Sequence, residues 1–238
     1  FYTLDQLAML NIIAANAWKR PICFTSPDNS LGFGAYLRQQ GMSFQLVPVA
    51  NTDPGRSIET DTTYKLLTTV FGAGNASNPN VYFDEENRRH LLSIRSVYAQ
   101  EASALADESK KQQAVNVLAK AESLMNPKAI PYAMTASSQN QNNHNRTGLL
   151  YLEAAYKAGY TDLAKKVKAA LTADLQQQLA YYKYLRENKE DYYYQLISDE
   201  RDAQSFLQFI HQFEMMYEGK QPPAQEIPQG AKAADSTK

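Results

Sequence analysis

YFDEENRRHLLSIRSVYAQEASALADESKKQQAVNVLAKAESLMNP, residues 82–127, is the stretch that decides the fold. Its first half sets Leu91, Ile94, Tyr98, Ala102 and Leu105 three and four residues apart, along one face of a helix. Its second half does the same with Ala114, Leu118, Ala121 and Met125. Asp84-Glu85-Glu86 supplies an acidic first turn, Ser109 with Gln112 reads as a capping box for the second helix, and Asn126-Pro127 stops it. The stretch predicts two antiparallel helices joined by a tight turn.

A second unit of the same design occupies Leu149–Leu171. Ala102, Leu105, Ser109, Ala114, Leu118 and Ala121 correspond in spacing to Leu152, Ala155, Gly159, Ala164, Lys168 and Leu171. Small residues recur where two helices would cross closely. In the second unit Ala154-Ala-Tyr-Lys-Ala-Gly159, followed by Ala164, resembles the tetratricopeptide repeat; the first unit departs at Ser109, where that repeat prefers Gly. Stacks of this kind usually need three or more units, so the flanking segments are expected to cap the pair.

Upstream, Thr3 and Gln6 form a capping box, followed by Leu7, Leu10, Ile13, Ala14 and Ala17. With Met9 and Ile12 this helix is apolar most of the way round and is expected to be largely buried. Ile22–Thr25 reads as a short strand, Pro27–Ser30 as a turn, and Leu31–Gln40 as a short helix stopped by Gly41. Phe44–Val49 reads as a second strand, placed at a sheet edge by Pro48. Strand, helix and strand predict a right-handed crossover with a parallel pair. A turn at Thr52–Gly55 leads to a helix capped by Asp61 and running through Leu66, Leu67, Val70 and Phe71. Gly72–Pro79 reads as a flexible loop.

Downstream, Ser137–Asn145 is a polar, low-complexity stretch expected to be mobile. Leu163, Val167, Leu171, Leu175, Leu179, Tyr182 and Leu185 then form one long helical stripe, and a last helix carries Phe206, Ile210, Phe213 and Tyr217. The fold expected is mixed α/β but mainly α-helical. A small α/β lobe with a two-stranded sheet fills residues 1–79, tetratricopeptide-like helical hairpins fill 80–218, and residues 219–238 form a disordered tail. Because the chain opens on Phe1 and runs straight into helical sequence, it reads as a piece of something longer.

The 238 residues hold 24 basic and 25 acidic side chains, a balance without the footprint of a nucleic-acid binder or of an anionic membrane ligand. No run approaches the ~18 apolar residues of a membrane span, so no direct membrane insertion is expected. Cys23 is the only cysteine, which excludes an internal disulfide. It sits in an apolar strand without a catalytic motif and is expected to be a buried structural residue. His90, His144 and His211 stand apart, and His211 with Glu214 lacks the further ligands of a metal site. No phosphate loop or serine elbow is present, so neither cofactor nor catalytic residue is expected. Asn75-Ala-Ser77 and Asn145-Arg-Thr147 fit a glycosylation pattern that chance supplies often. Tyr181-Tyr182-x-Tyr184 and Tyr192-Tyr193-Tyr194 flank a charged turn, so not all six can be buried. Tyr181, Tyr184 and Tyr193 are candidates for protein or sugar contacts; helix packing explains them equally well.

Asn16-x-Trp18-Lys19-Arg20-Pro21-Ile22-x-Phe24, then Tyr36-Leu37-x-x-x-Gly41, Leu46-Val-Pro-Val49 and Asn80-Val-Tyr-Phe-Asp84, resemble one arrangement. Together with the hairpins they are similar to the C-terminal region of a bacterial multi-pass membrane protein family, itself similar to protein O-mannosyltransferases of the GT-C glycosyltransferase class. The departures are Cys23, where an aromatic is expected, and the insertion at Ser137–Asn145. The resemblance implies that sugar donor and catalytic acid belong to an absent membrane part. It implies a non-catalytic domain on the periplasmic face of the inner membrane that recognises a protein or peptide acceptor, holds a partner, or braces the membrane domain. A free-standing helical-repeat adaptor is the alternative, and a small enzyme using tyrosine and carboxylate groups is a third. Trp18, Lys19 and Arg20 are interaction candidates, although a Trp at a helix end and a Pro forcing an extended exit are also structural devices. Arg20 is expected to pair with a carboxylate or a chain end between the two lobes.

Overall fold

The computed structural model describes residues 3–27, 31–51, 57–134 and 142–219. The expected turns at Pro27–Ser30 and Thr52–Gly55, most of the Ser137–Asn145 stretch, and the tail after Gly219 lie outside the described residues. The chain is mainly helical, with one small sheet near its start.

Helix α1 (Leu4–Asn16) opens as the sequence predicts, with the Thr3 N–H donating to the Gln6 side chain at 3.0 Å. It is not a core helix, however. None of its residues is buried among the described residues. The strands β1 (Cys23–Phe24), β2 (Leu37–Gln40) and β3 (Ser43–Leu46) form an antiparallel sheet in the order β1-β3-β2. The expected parallel crossover and two-stranded sheet are thereby corrected. Leu31–Gln40 is not a helix: only a 3-10 turn, Phe33–Tyr36, precedes β2. In β2 the residues Leu37 and Gln39 face inward and their neighbours do not, a period of two that the helix-forming Arg38 and Gln40 disguise. Gly41 is the first residue of a two-residue hairpin turn rather than a helix stop, at φ +61°, and any Cβ there would meet the Phe71 ring at 2.5 Å. Strand β3 is the central strand and ends before Pro48, so the proline never enters the ladder. Cys23 is exposed, not buried.

Ser57 and Glu59 extend the free side of β2, through Gln39 N–H to Ser57 O at 2.6 Å and Glu59 N–H to Gln39 O at 2.9 Å. Helix α2 (Thr60–Lys65) follows, with Asp61 inside its first turn rather than at its cap, and Leu66–Val70 widens into a π-helical turn. Tyr98 fastens that turn, its hydroxyl donating to Leu67 O at 2.9 Å. Ala73 and Ala76 of the expected flexible loop are buried, and Asn126 N–H reaches back to Ala76 O at 2.8 Å.

Helices α3 (Glu85–Asp107) and α4 (Lys111–Leu124) form the first hairpin, and α5 (Asn143–Ala158) and α6 (Thr161–Asn188) the second. Asp84 caps α3 by accepting from Asn87 N–H at 2.8 Å. Leu91, Tyr98, Ala102 and Leu105 are buried on α3, as are Ala114, Leu118 and Ala121 on α4. No side-chain cap opens α4; Ser109 serves the turn instead. The two turns share one hydrogen-bond register. Lys110 N–H donates to Leu105 O and Ser109 N–H to Ala106 O; Tyr160 N–H donates to Ala155 O and Gly159 N–H to Tyr156 O, all at 2.8–2.9 Å. This is the Schellman pair, which places a left-handed residue at each turn: Ser109 at φ 64° and Gly159 at φ 77°. α5 packs across α3 as well as against α6, and Gly148 sits at the closest approach, where a Cβ would strike Tyr132 O and lie 2.9 Å from Leu171. α7 (Glu190–Tyr194) and α8 (Ile197–Glu218) close the far side, with Phe206 and Ile210 buried.

A buried cation fixes the connection between the hairpins. Arg95, 1% exposed, donates to Pro131 O at 2.8 Å and Ile130 O at 2.7 Å. The rings of Tyr132 and Tyr151 lie 5.2 and 5.7 Å from its guanidinium carbon, and both hydroxyls donate to Glu122, at 2.5 and 2.9 Å. Burial pulls the Arg95 pKa down, with Tyr151 and Glu122 opposing that. Two aromatic faces and a carboxylate one hydroxyl away compensate a charge that would otherwise be very costly in the interior.

Candidate functional site

The most developed concavity runs between α3 and α5. On α3, Glu86, Arg89, Ser93, Ser96 and Gln100 recur every three or four residues, a polar stripe beside the apolar one. The stripe and the facing side of α5 enclose about 560 Å³, with Leu92 and Leu150 as apolar walls. Past Gln100 and Leu150 the groove continues for a further 240 Å³ toward Asp107 and Lys157. Ion pairs mark both ends: Arg89 on Glu86 at 2.5 Å, with His90 Nε2 3.2 Å from the same carboxylate, and Lys157 between Asp107 and Glu153 at 3.3 and 3.6 Å. Arg146 stands exposed on the rim without an ion pair among the described residues.

His144 lies against this groove, 3% exposed, and neither ring nitrogen has a partner among the described residues. Burial first, aided by Arg88, holds its pKa below the usual value, with Glu85 opposing, so the imidazole is neutral. Its neighbour Asn145 is fully buried, accepting from Met134 N–H at 3.1 Å and donating to Asp174 at 2.7 Å. An asparagine so held cannot be a glycosylation acceptor.

A second polar cluster gathers where α2 meets the α3–α4 turn. Thr60 donates to Glu108 at 3.0 Å, and Lys110 bridges Asp61 at 2.9 Å and Glu108 at 2.8 Å. Beside them Glu101 is fully buried, with both carboxylate oxygens unpartnered among the described residues. Burial foremost, then repulsion from Glu108, raises its pKa to about 8, against the attraction of Lys110. Among the described residues no three His, Cys, Asp or Glu side chains are placed to hold a metal ion.

Trp18, Lys19 and Arg20 do come together. They line one depression of about 540 Å³ with Gln40, Gln45 and Pro48. Ala17 and Trp18 take left-handed backbone, φ 44° and 59°, which turns the chain sharply out of α1 and leaves the indole 55% exposed. Arg20 is exposed and forms no ion pair among the described residues, so the expected carboxylate is not found among them, and the chain ends, its other expected partner, lie outside them. The tyrosines divide. Tyr182 is buried, Tyr181 and Tyr184 are each 53% exposed on α6, and Tyr193 is partly buried. The Tyr193 hydroxyl donates to Glu200 at 2.6 Å, and its ring lies 5.5 Å from the Arg186 guanidinium carbon, so it pins α7 to α6 and α8. Tyr192 and Tyr194, outside the expected set, are more exposed than Tyr181 and Tyr184. The groove residues His144, Arg146 and Gln100 were likewise not expected. The polar stripe on α3 is visible in the sequence, but not that α5 faces it.

A family model described as TMEM260-associated domain 2 matches residues 2–64. The match covers α1, the sheet and most of α2. No curated protein and no solved structure matches the chain. Among the described residues no helix is long and apolar enough to cross a membrane.

Proposed function

We propose that this chain is a non-catalytic recognition or bracing domain on the periplasmic face of the bacterial inner membrane. It would be part of a longer membrane protein that is glycosyltransferase-like, similar to protein O-mannosyltransferases. The observation that carries this reading is the family match over residues 2–64. That segment includes the Asn16–Phe24 block, whose residues bear the same resemblance. In this reading sugar transfer belongs to the membrane part, and an acceptor or partner segment lies in the α3–α5 groove. There Ser93, Ser96 and Gln100 offer hydrogen bonds to an extended chain, and Leu92 and Leu150 cover its apolar side chains.

The test is the reading frame upstream of the codon for Phe1. Many apolar helices in frame support the proposal; a short leader alone refutes it. The two hairpins with matching turns favour a second reading, a free-standing tetratricopeptide-like adaptor, and the leader-only outcome would select it.

A further inference from the structure

We propose that α1 and the Trp18-Lys19-Arg20 corner dock on an anionic lipid bilayer, lying in the water–lipid interface rather than crossing it. Leu4, Leu7 and Ile12 are 87, 47 and 60% exposed, and Asp5 is the only charged residue of the helix. A helix apolar most of the way round calls for a cover, and the described chain buries no residue of it. Thirteen residues rise only about 20 Å, short of a hydrocarbon core of about 30 Å, so the helix cannot span.

The corner at its C-terminal end identifies the cover. An exposed indole flanked by two cations that no carboxylate engages among the described residues is the arrangement that seats at lipid headgroups. Beneath it the Gln40 and Gln45 side chains line the depression and add amide donors for a phosphate. The near-zero total charge of the chain is no obstacle, because surface potential acts within a Debye length of the local cations. The inference rests on the surface of α1 itself and stands whichever way the upstream sequence reads.

Trp18 is the only tryptophan, so its emission reports this corner alone. The full chain would be titrated with vesicles of phosphatidylcholine, and with vesicles of phosphatidylcholine and phosphatidylglycerol in equal parts. Expected are a blue shift and co-flotation with the anionic vesicles that weaken as salt rises. Lys19→Ala with Arg20→Ala should weaken binding about 30-fold, at about 1 kcal/mol per cation. Ile12→Asp, at an exposed position that folding does not need, should abolish the shift. Failure to bind either vesicle overturns the proposal, as does equal binding to both that the cation variants leave unchanged. A blue shift that grows with protein concentration in the absence of lipid overturns it in favour of a second copy.

Discussion

Replacing Glu101 by Gln should stabilise this protein, increasingly so as the pH rises. The carboxyl is fully buried with neither oxygen hydrogen-bonded among the described residues, and burial together with Glu108 lifts its pKa from 4.5 to about 8. In the unfolded chain the group ionises near its ordinary value. Between the two values the native state therefore holds a proton that the unfolded state has released. Stability then falls as pH rises, by about 1.4 kcal/mol per pH unit for one proton, and levels off above the native value. At pH 7 the accumulated penalty is on the order of 3 kcal/mol, an upper figure because partial hydration of the site would reduce it. Glutamine keeps the shape and removes the ionisation. Urea midpoints of wild type and Glu101→Gln, measured from about pH 5 to about pH 9, should nearly coincide at the acid end and diverge toward pH 8. Parallel curves across the whole range would refute the reasoning, because they would mean that Glu101 titrates alike in both states.

Three further substitutions test the packing. Arg95→Leu leaves the Ile130 and Pro131 carbonyls without their donor and Glu122 without its counter-charge; a loss of about 3–5 kcal/mol in urea unfolding is expected, and a loss under about 1 kcal/mol would contradict the network. Gly148→Ala would stabilise an open helix by about 1 kcal/mol, but here the added methyl meets the Tyr132 carbonyl and Leu171, so a net loss of about 2 kcal/mol is expected from the thermal midpoint. Ser109→Gly relieves the left-handed strain of the first turn and should gain up to about 1 kcal/mol, whereas Gly159→Ser should lose a similar amount in the second.

The helices were legible because their evidence is local. Leu91 to Leu105 and Leu163 to Leu185 carry their period on their own surfaces, and the turn between α3 and α4 falls where Ser109 announces it. The sheet was not legible, because β2 is written in residues that prefer helices and becomes a strand only when Gly41 and Met42 fold it onto β3. α1 misled in the opposite direction, since an apolar sequence says that a surface needs covering and not what covers it. Of the candidate site, the Trp18-Lys19-Arg20 block stood out as a cluster of unusual residues and the structure gathers it around one depression. The groove did not stand out, because Gln100 on α3 and Arg146 on α5 become neighbours only through helix packing. Arg95 and Glu101 were passed over, and His144 was read only as an isolated histidine, for a related reason. Each is a polar residue set beside an apolar face, and burial of that kind is decided by tertiary neighbours.

The hydrogen bond from Met134 N–H to Asn145 bears on how this chain tolerates changes in the length of its connections. It ties the end of the Arg95-anchored connection directly to the first turn of α5, so the start of the second hairpin is held to the end of the first by a bond that does not run along the chain. Closing a connection costs little more when it lengthens, about 0.6 kcal/mol for each doubling. A change in chain length outside that bond would therefore leave the register of either hairpin as it is.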